Sequence, residues 1–194
     1  QMDNLVTSNI RQRPIRTLVS VAGIALGVSL VMLFTGLARG MSNDLQRRAS
    51  NVRFELLFMR PGAVQLTSTT ANLDTRYVDR LKAIDGVEDA QPVIRHFFQG
   101  SGGFGFEQID GVNWEPYSSL NGLNIVEGRG PQGLNEVVID TTKARNANLH
   151  VGDVMKPLGK DEYRIVGVYS PESGARVKLT LEGLQKALEV EGKC

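Results

Sequence analysis

The sequence predicts an α+β protein in which an N-terminal transmembrane helix precedes an extracytoplasmic domain, and three observations carry that prediction. From Thr17 to Ala38 the chain reads TLVSVAGIALGVSLVMLFTGLA, 22 residues without a charge. As a helix at about 1.5 Å per residue this run spans roughly 33 Å, enough for the ~30 Å hydrocarbon core of a bilayer. Beyond it, strand-like apolar runs alternate with short stretches of helical period that carry their own capping residues. Finally, the 194 residues are 41% apolar with 22 basic and 21 acidic side chains, a composition that folds and buries a core without covalent staples.

The same composition removes several classes. A single cysteine, Cys194, rules out an intramolecular disulfide. Two histidines beside it make a protein-built zinc site improbable, since such a site needs three or four converging nitrogen or sulfur ligands. A net charge of +1 argues against a surface that coats nucleic acid. No cofactor is expected.

The apolar run is expected to remain in the membrane. Arg11, Arg13 and Arg16 before it, and Gly36-Leu37-Ala38 near its end, have the look of a signal peptide and its cleavage site, but a cleaved signal has only about 7 to 15 apolar residues. Eleven Leu, Val, Ile and Phe side chains within it favour insertion by roughly 0.3 to 0.6 kcal/mol each. The three arginines sit on the short flank, where positive charge marks the cytoplasmic side. Residues 1–38 contain three basic and one acidic side chain, leaving 19 basic and 20 acidic beyond, so the basic tilt belongs to the anchor. The expected organisation is therefore 1–16 cytoplasmic, 17–38 transmembrane and 39–52 a stalk, with everything after about residue 38 outside the cytoplasm. Gly23 and Gly27, then Gly36 and Gly40, repeat a four-residue spacing that lets a second helix approach closely, so they are the candidate helix-packing residues.

In the outer region, Phe54 to Arg60 (FELLFMR) reads as a buried strand ended by Pro61-Gly62. Asp74 is expected to cap a helix with Tyr77, Val78, Leu81 and Ile84 on one face, and Gly86 to close it in a left-handed conformation. VEDAQPVIRHFFQ reads as a second strand, with Pro92 pointing to an edge or a bulge. Gly100, Gly102 and Gly105 fit GxGxxG, but a phosphate cradle needs a helix immediately after it, and Phe106 onward continues as strand. We read Gly100, Gly102, Gly103, Phe104 and Gly105 as a hairpin tip and a candidate partner contact. WEPYSSL reads as a short helical turn, NEVVID and EYRIVGVYS as strands, TTKARNANL as a short helix capped by Thr141 or Thr142, and Thr180 as the cap of a helix carrying Leu181, Leu184 and Leu188. That leucine face is left needing a partner. Asp140 and Asp153 read as turn and cap residues, and no acid, base or nucleophile spacing suggests a catalytic group.

With these elements in order, the sequence resembles the permeases of the MacB and FtsX-like ABC transporter superfamily. NLVTSNIRQRPIRTLVSVAGIALGVSLVMLFTGLARGM is similar to their first membrane helix and its approach. DRLKAIDGVEDAQPVI is similar to the first strand-helix-strand half of the MacB-type periplasmic core domain, IDGVNWEPYSSLNGLNIVEGRGP to its "GV...GR" stretch, and NEVVIDTTKARNANLHVGDVMKPLGKDEYRIVGVYS to its small β-rich insertion. The resemblance implies a β-α-β, porter-like subdomain over 53–108 and a mainly β-rich inserted subdomain over 109–194 that ends in a helix. It also implies a non-enzymatic transporter subunit in the inner membrane, working in efflux or lipoprotein release. The implied partners are an ABC-type ATPase on a separate or detached subunit, a second permease copy or paralogue, and a periplasmic adaptor or lipoprotein carrier, with no nucleic acid. Such permeases have four membrane helices, so the chain is expected to be a fragment. The alternative is a single-pass anchored extracytoplasmic binding module; an outer-surface hydrolase is the third and least supported class.

Overall fold

The computed structural model describes residues 14–54, 56–59, 73–99, 106–159 and 161–194. They divide into two compact units, one ending at Gln46 and the other running from Arg47 to Cys194. The first contains most of helix α1 (Pro14–Ser50), which has no buried residue and whose last turn belongs to the second unit. Among the described residues α1 is the one helix long and apolar enough to cross a membrane. The uncharged run occupies its middle, and Pro14 is its first residue, where a missing N–H forfeits no intrahelical bond.

The second unit is built on a mixed seven-stranded sheet. In chain order its elements are α2 (Tyr77–Lys82), β1 (Val93–Gln99), β2 (Phe106–Val112), α3 (Trp114–Asn121), β3 (Asn124–Gly128), β4 (Glu136–Asp140), α4 (Thr141–Ala147), β5 (Val154–Met155), β6 (Tyr163–Ser170), β7 (Val177–Thr180) and α5 (Leu181–Ala187). The spatial order is β1-β2-β7-β4-β6-β3, with β5 added to β6. β1 and β2 form an antiparallel hairpin in register from Val93↔Val112 to Gln99↔Phe106. β7 then lies between β2, to which it is parallel, and β4, to which it is antiparallel. The division expected at 108/109 falls inside β2, and strands from both sides of it share this sheet.

Period-two alternation sorts the core onto two faces. Ile109, Val137, Ile139, Val177 and Leu179 pack on one face with α5, whose Leu181 and Leu184 are buried there. Val112, Val138, Val166 and Tyr169 pack on the other with Trp114 and Tyr117 of α3 and with Leu123. The leucine face that was expected to lack a partner is thus covered by this chain's own sheet. Its seat is Gly111, where a Cβ would stand 2.8 Å from that of Leu184. Removing the side chain from β2 lets the helix settle on the strand.

Three further expectations are corrected. Phe54–Arg60 forms no strand at its described positions, and Leu56 and Phe58 are exposed, because a run of strand-forming residues becomes a strand only when a ladder partner lies beside it and none does among the described residues. Among the described residues no strand precedes α2. The first turn of α4 is capped by Asp140, not by Thr141 or Thr142: the Asp140 carboxylate accepts from the Lys143 N–H, since β4 delivers Asp140 in the extended conformation a cap requires. Asp74 sits two residues before the helix boundary and accepts from the N–H of Arg76. By contrast Thr180 caps α5 through the N–H of Gly183, as expected.

Candidate functional site: a buried charge cluster beneath the helix end

The centre of the second unit carries ionisable groups where strand alternation alone would place only an exposed face. On β7, Val177 and Leu179 point to the α5 face, so Lys178 points the opposite way, beside Asp110 of β2 and Val138 of β4. Lys178 and Asp110 are both fully buried. The ammonium has three protons, and all three have acceptors: the Tyr169 hydroxyl at 2.7 Å, the Ser173 carbonyl at 2.6 Å and the Ala175 carbonyl at 2.5 Å. Tyr169 in turn donates its hydroxyl proton to the Ala175 carbonyl. The Lys178 ammonium also lies over the Tyr169 ring, 4.6 Å from its centroid.

Burial pushes the Lys178 ammonium down to about 8, against the opposing pull of the Asp110 and Asp140 carboxylates. At neutral pH it is therefore a charge held in the interior by neutral oxygens, with carboxylates nearby. Asp110 accepts from Arg95 at 3.1 Å and from Gln108, and its second oxygen receives the Ala175 N–H at 3.4 Å. Asp140, also fully buried, pairs with Arg176 at 3.0 Å. Burial raises the Asp140 pKa despite the Lys143 N–H and Arg176 beside it.

These bonds converge on one short loop, Pro171–Ala175, between β6 and β7. Its inner side rests on Lys178, Tyr169 and Asp110. Its outer side receives the segment that leaves α1: Arg48 Nη1 donates to the Gly174 carbonyl at 3.1 Å, and the Gly174 N–H donates to the Arg48 carbonyl at 3.4 Å. Asn51 donates to the Glu172 carbonyl at 2.7 Å, and Ser173 donates to the Asn51 carbonyl at 3.3 Å. Two residues on, the Arg53 N–H donates to Asn121 Oδ1 at 3.2 Å. Gly174 has φ +56°, a left-handed conformation natural to glycine, and it turns the loop so that its backbone serves both sides.

The residues proposed from sequence lie elsewhere. Gly23, Gly27, Gly36 and Gly40 are on α1 with no other atom within 4 Å of an added Cβ, and Arg16 is exposed on the first turns of that helix. Arg11, Arg13 and the tip residues Gly100, Gly102, Gly103, Phe104 and Gly105 lie outside the described residues, although β1 and β2 pair as the hairpin that such a tip would close. Among the described residues no group of three or more His, Cys, Asp or Glu is placed to hold a metal ion. Sequence reasoning missed Lys178 and Asp110. The available signal was a lone charge between apolar neighbours in each strand, IDG and VKL, which reads equally as a solvated face.

Residues 17–191 match the family model of the MacB-like periplasmic core domain, and the chain belongs to that family. Its fold is shared with the periplasmic region of MacB from Actinobacillus actinomycetemcomitans, at 17% identity and a TM-score of 0.51 over 63% of this chain and 62% of that one. It is shared also with the extracellular domain of the noncanonical ABC-type transporter YknZ from Gram-positive bacteria, at 18% identity and a TM-score of 0.50 over 70% and 76% of the two chains. The chain thus spans under two thirds of the MacB region it matches. No curated protein sequence matches it.

Proposed function

We propose that this chain is the anchor and outer domain of a permease subunit of the MacB and lipoprotein-release type, coupling ATP hydrolysis on a cytoplasmic partner to movement of an extracytoplasmic domain. Residues 17–38 cross the inner membrane, Arg11, Arg13 and Arg16 mark the cytoplasmic boundary, and the sheet domain lies outside. Gly23, Gly27, Gly36 and Gly40 give α1 a face on which another membrane helix packs, in a second permease copy or paralogue. The ATPase is a separate subunit of the ABC type, and the outer hairpin tip meets a periplasmic adaptor or a lipoprotein carrier.

The observation that carries this reading is the match of residues 17–191 to the MacB-like periplasmic core domain family, a match that begins at the first residue of the apolar run. The hydrogen bonds from Arg48 and Asn51 to the 171–175 loop support the coupling, because they give movement of the last turn of α1 a direct route into the sheet between β6 and β7. The test is co-expression with the ABC-type ATPases of the same genome, one at a time. The tagged chain should retain one of these ATPases through purification in detergent and change its rate of ATP hydrolysis. ATPases that all separate on washing and hydrolyse ATP equally fast with and without the chain contradict the reading.

A further inference from the structure

The 171–175 loop is bonded on both sides, and the two sides differ in kind. Toward α1 the bonds involve part-buried groups at a surface that water can reach. Toward the sheet they end on a lysine with no exposed surface, and two of the five loop carbonyls, those of Ser173 and Ala175, are fixed by that one ammonium. A helix end can hold such a loop only if the loop already has its shape, and the atom that fixes the shape is Lys178 Nζ.

We infer that Lys178 is a positioning residue for the junction: from the interior of the sheet it sets the backbone of residues 173–175, and through that backbone it holds the 48–53 segment on the domain. Residues 48–53 need not touch Lys178 for this to work. Gly174 presents its carbonyl to Arg48 and takes the Arg48 carbonyl with its N–H, while the residues on either side of it give their carbonyls to the ammonium. The neighbouring Ala175 N–H is held by Asp110, so the loop cannot pivot about the lysine alone. Losing the ammonium frees the buried Ser173 carbonyl and leaves that of Ala175 to the Tyr169 hydroxyl alone, and the part-buried side of the loop, where an unpaired carbonyl can reach water, is the α1 side. The loop therefore opens toward the helix end, and local opening of such a bonded unit is a smaller event than unfolding of the sheet.

This deepens the coupling role proposed above and takes its functional meaning from it, but its test needs no ATPase, so the two fail separately. Amide hydrogen exchange is measured on the whole chain in detergent, comparing the native sequence with Lys178→Met. The variant should exchange roughly tenfold faster or more at the amides of Gly174, Ala175 and Arg53, as loss of one buried hydrogen-bonding group implies, while Val138 and Val168 in the middle of the sheet keep their protection. Unchanged exchange at those three amides overturns the inference, and so does an equal rise at all five, which would make Lys178 an ordinary core residue. If Lys178→Met does not fold, Tyr169→Phe removes one acceptor of the ammonium and one donor to Ala175 with almost no change in volume. It should give the same local pattern at smaller amplitude, and a uniform or absent effect overturns the inference equally.

Discussion

Substituting Lys178 by methionine should abolish a rise in stability that the native chain shows on mild alkalinisation. The buried ammonium titrates near 8 in the folded protein and near 10.4 once exposed. Between those values the unfolded chain binds more protons than the folded one, so folding becomes more favourable as pH rises, and the penalty of the buried charge is full below about pH 8. Taking the two values through the linkage relation from pH 7 to about pH 9.5 gives a gain of about 2 kcal/mol. The groups packed around Lys178 sharpen the choice of window. Tyr117 and Tyr169, whose rings face the ammonium, are pushed above the ordinary phenol range by burial and oppose the trend only as the pH approaches 10. The assay is urea unfolding of the whole chain in detergent, followed by the fluorescence of the single tryptophan, Trp114, which packs edge-on against Tyr169 at 5.9 Å. Native protein should gain the stated amount and Lys178→Met should stay nearly flat. An equal rise in both, or none in the native chain, refutes the assignment of the titration to Lys178.

Three other perturbations test different parts of the fold. Gly111→Ala places a methyl group 2.8 Å from the Leu184 Cβ, an atom that cannot swing away, and should lower unfolding stability by about 1 to 3 kcal/mol; a neutral result would show that α5 is not seated on β2 as described. Asp140→Ala removes both the cap of α4 and the partner of Arg176 from a fully buried position. Its urea midpoint should fall by the equivalent of about 3 kcal/mol or more, and a loss no larger than about 1 kcal/mol would reduce Asp140 to a cap alone. Arg48→Ala with Asn51→Ala should raise proteolytic cleavage between residues 50 and 59 while leaving the urea midpoint of the sheet within about 0.5 kcal/mol, and a large midpoint shift would contradict a junction that is separable from the core.

Much of the sheet domain could be read from sequence because its elements are locally determined. β6 shows its buried run directly, Thr180 announces α5, and of the edge or bulge that Pro92 signals it is the edge that β1 occupies among the described strands. What resisted reading depends on which elements come together. FELLFMR has the composition of a strand, yet a strand is a pairing, and composition does not supply the neighbour. The same holds for α5, whose leucines looked orphaned because the groove at Gly111 exists only after β2 has paired with β7. For the charge cluster the obstacle is sharper. The alternation assigns Lys178 in VKLT to the face opposite Val177 and Leu179, and Asp110 in FEQIDGV to the face opposite Ile109, and this is where they are. Nothing local reveals that α3 and the 171–175 loop close over that face and convert two surface charges into interior ones.

The central claim, that the sheet domain stands outside the cytoplasm behind a membrane-embedded α1, is tested most directly by labelling topology. With Cys194 replaced by serine and the exposed Glu115 at the start of α3 replaced by cysteine, a membrane-impermeant thiol reagent should modify the chain in spheroplasts and spare it in sealed inside-out vesicles until detergent is added. Labelling in the inside-out vesicles alone, or recovery of the mature chain in the soluble fraction without residues 17–38, would contradict the account.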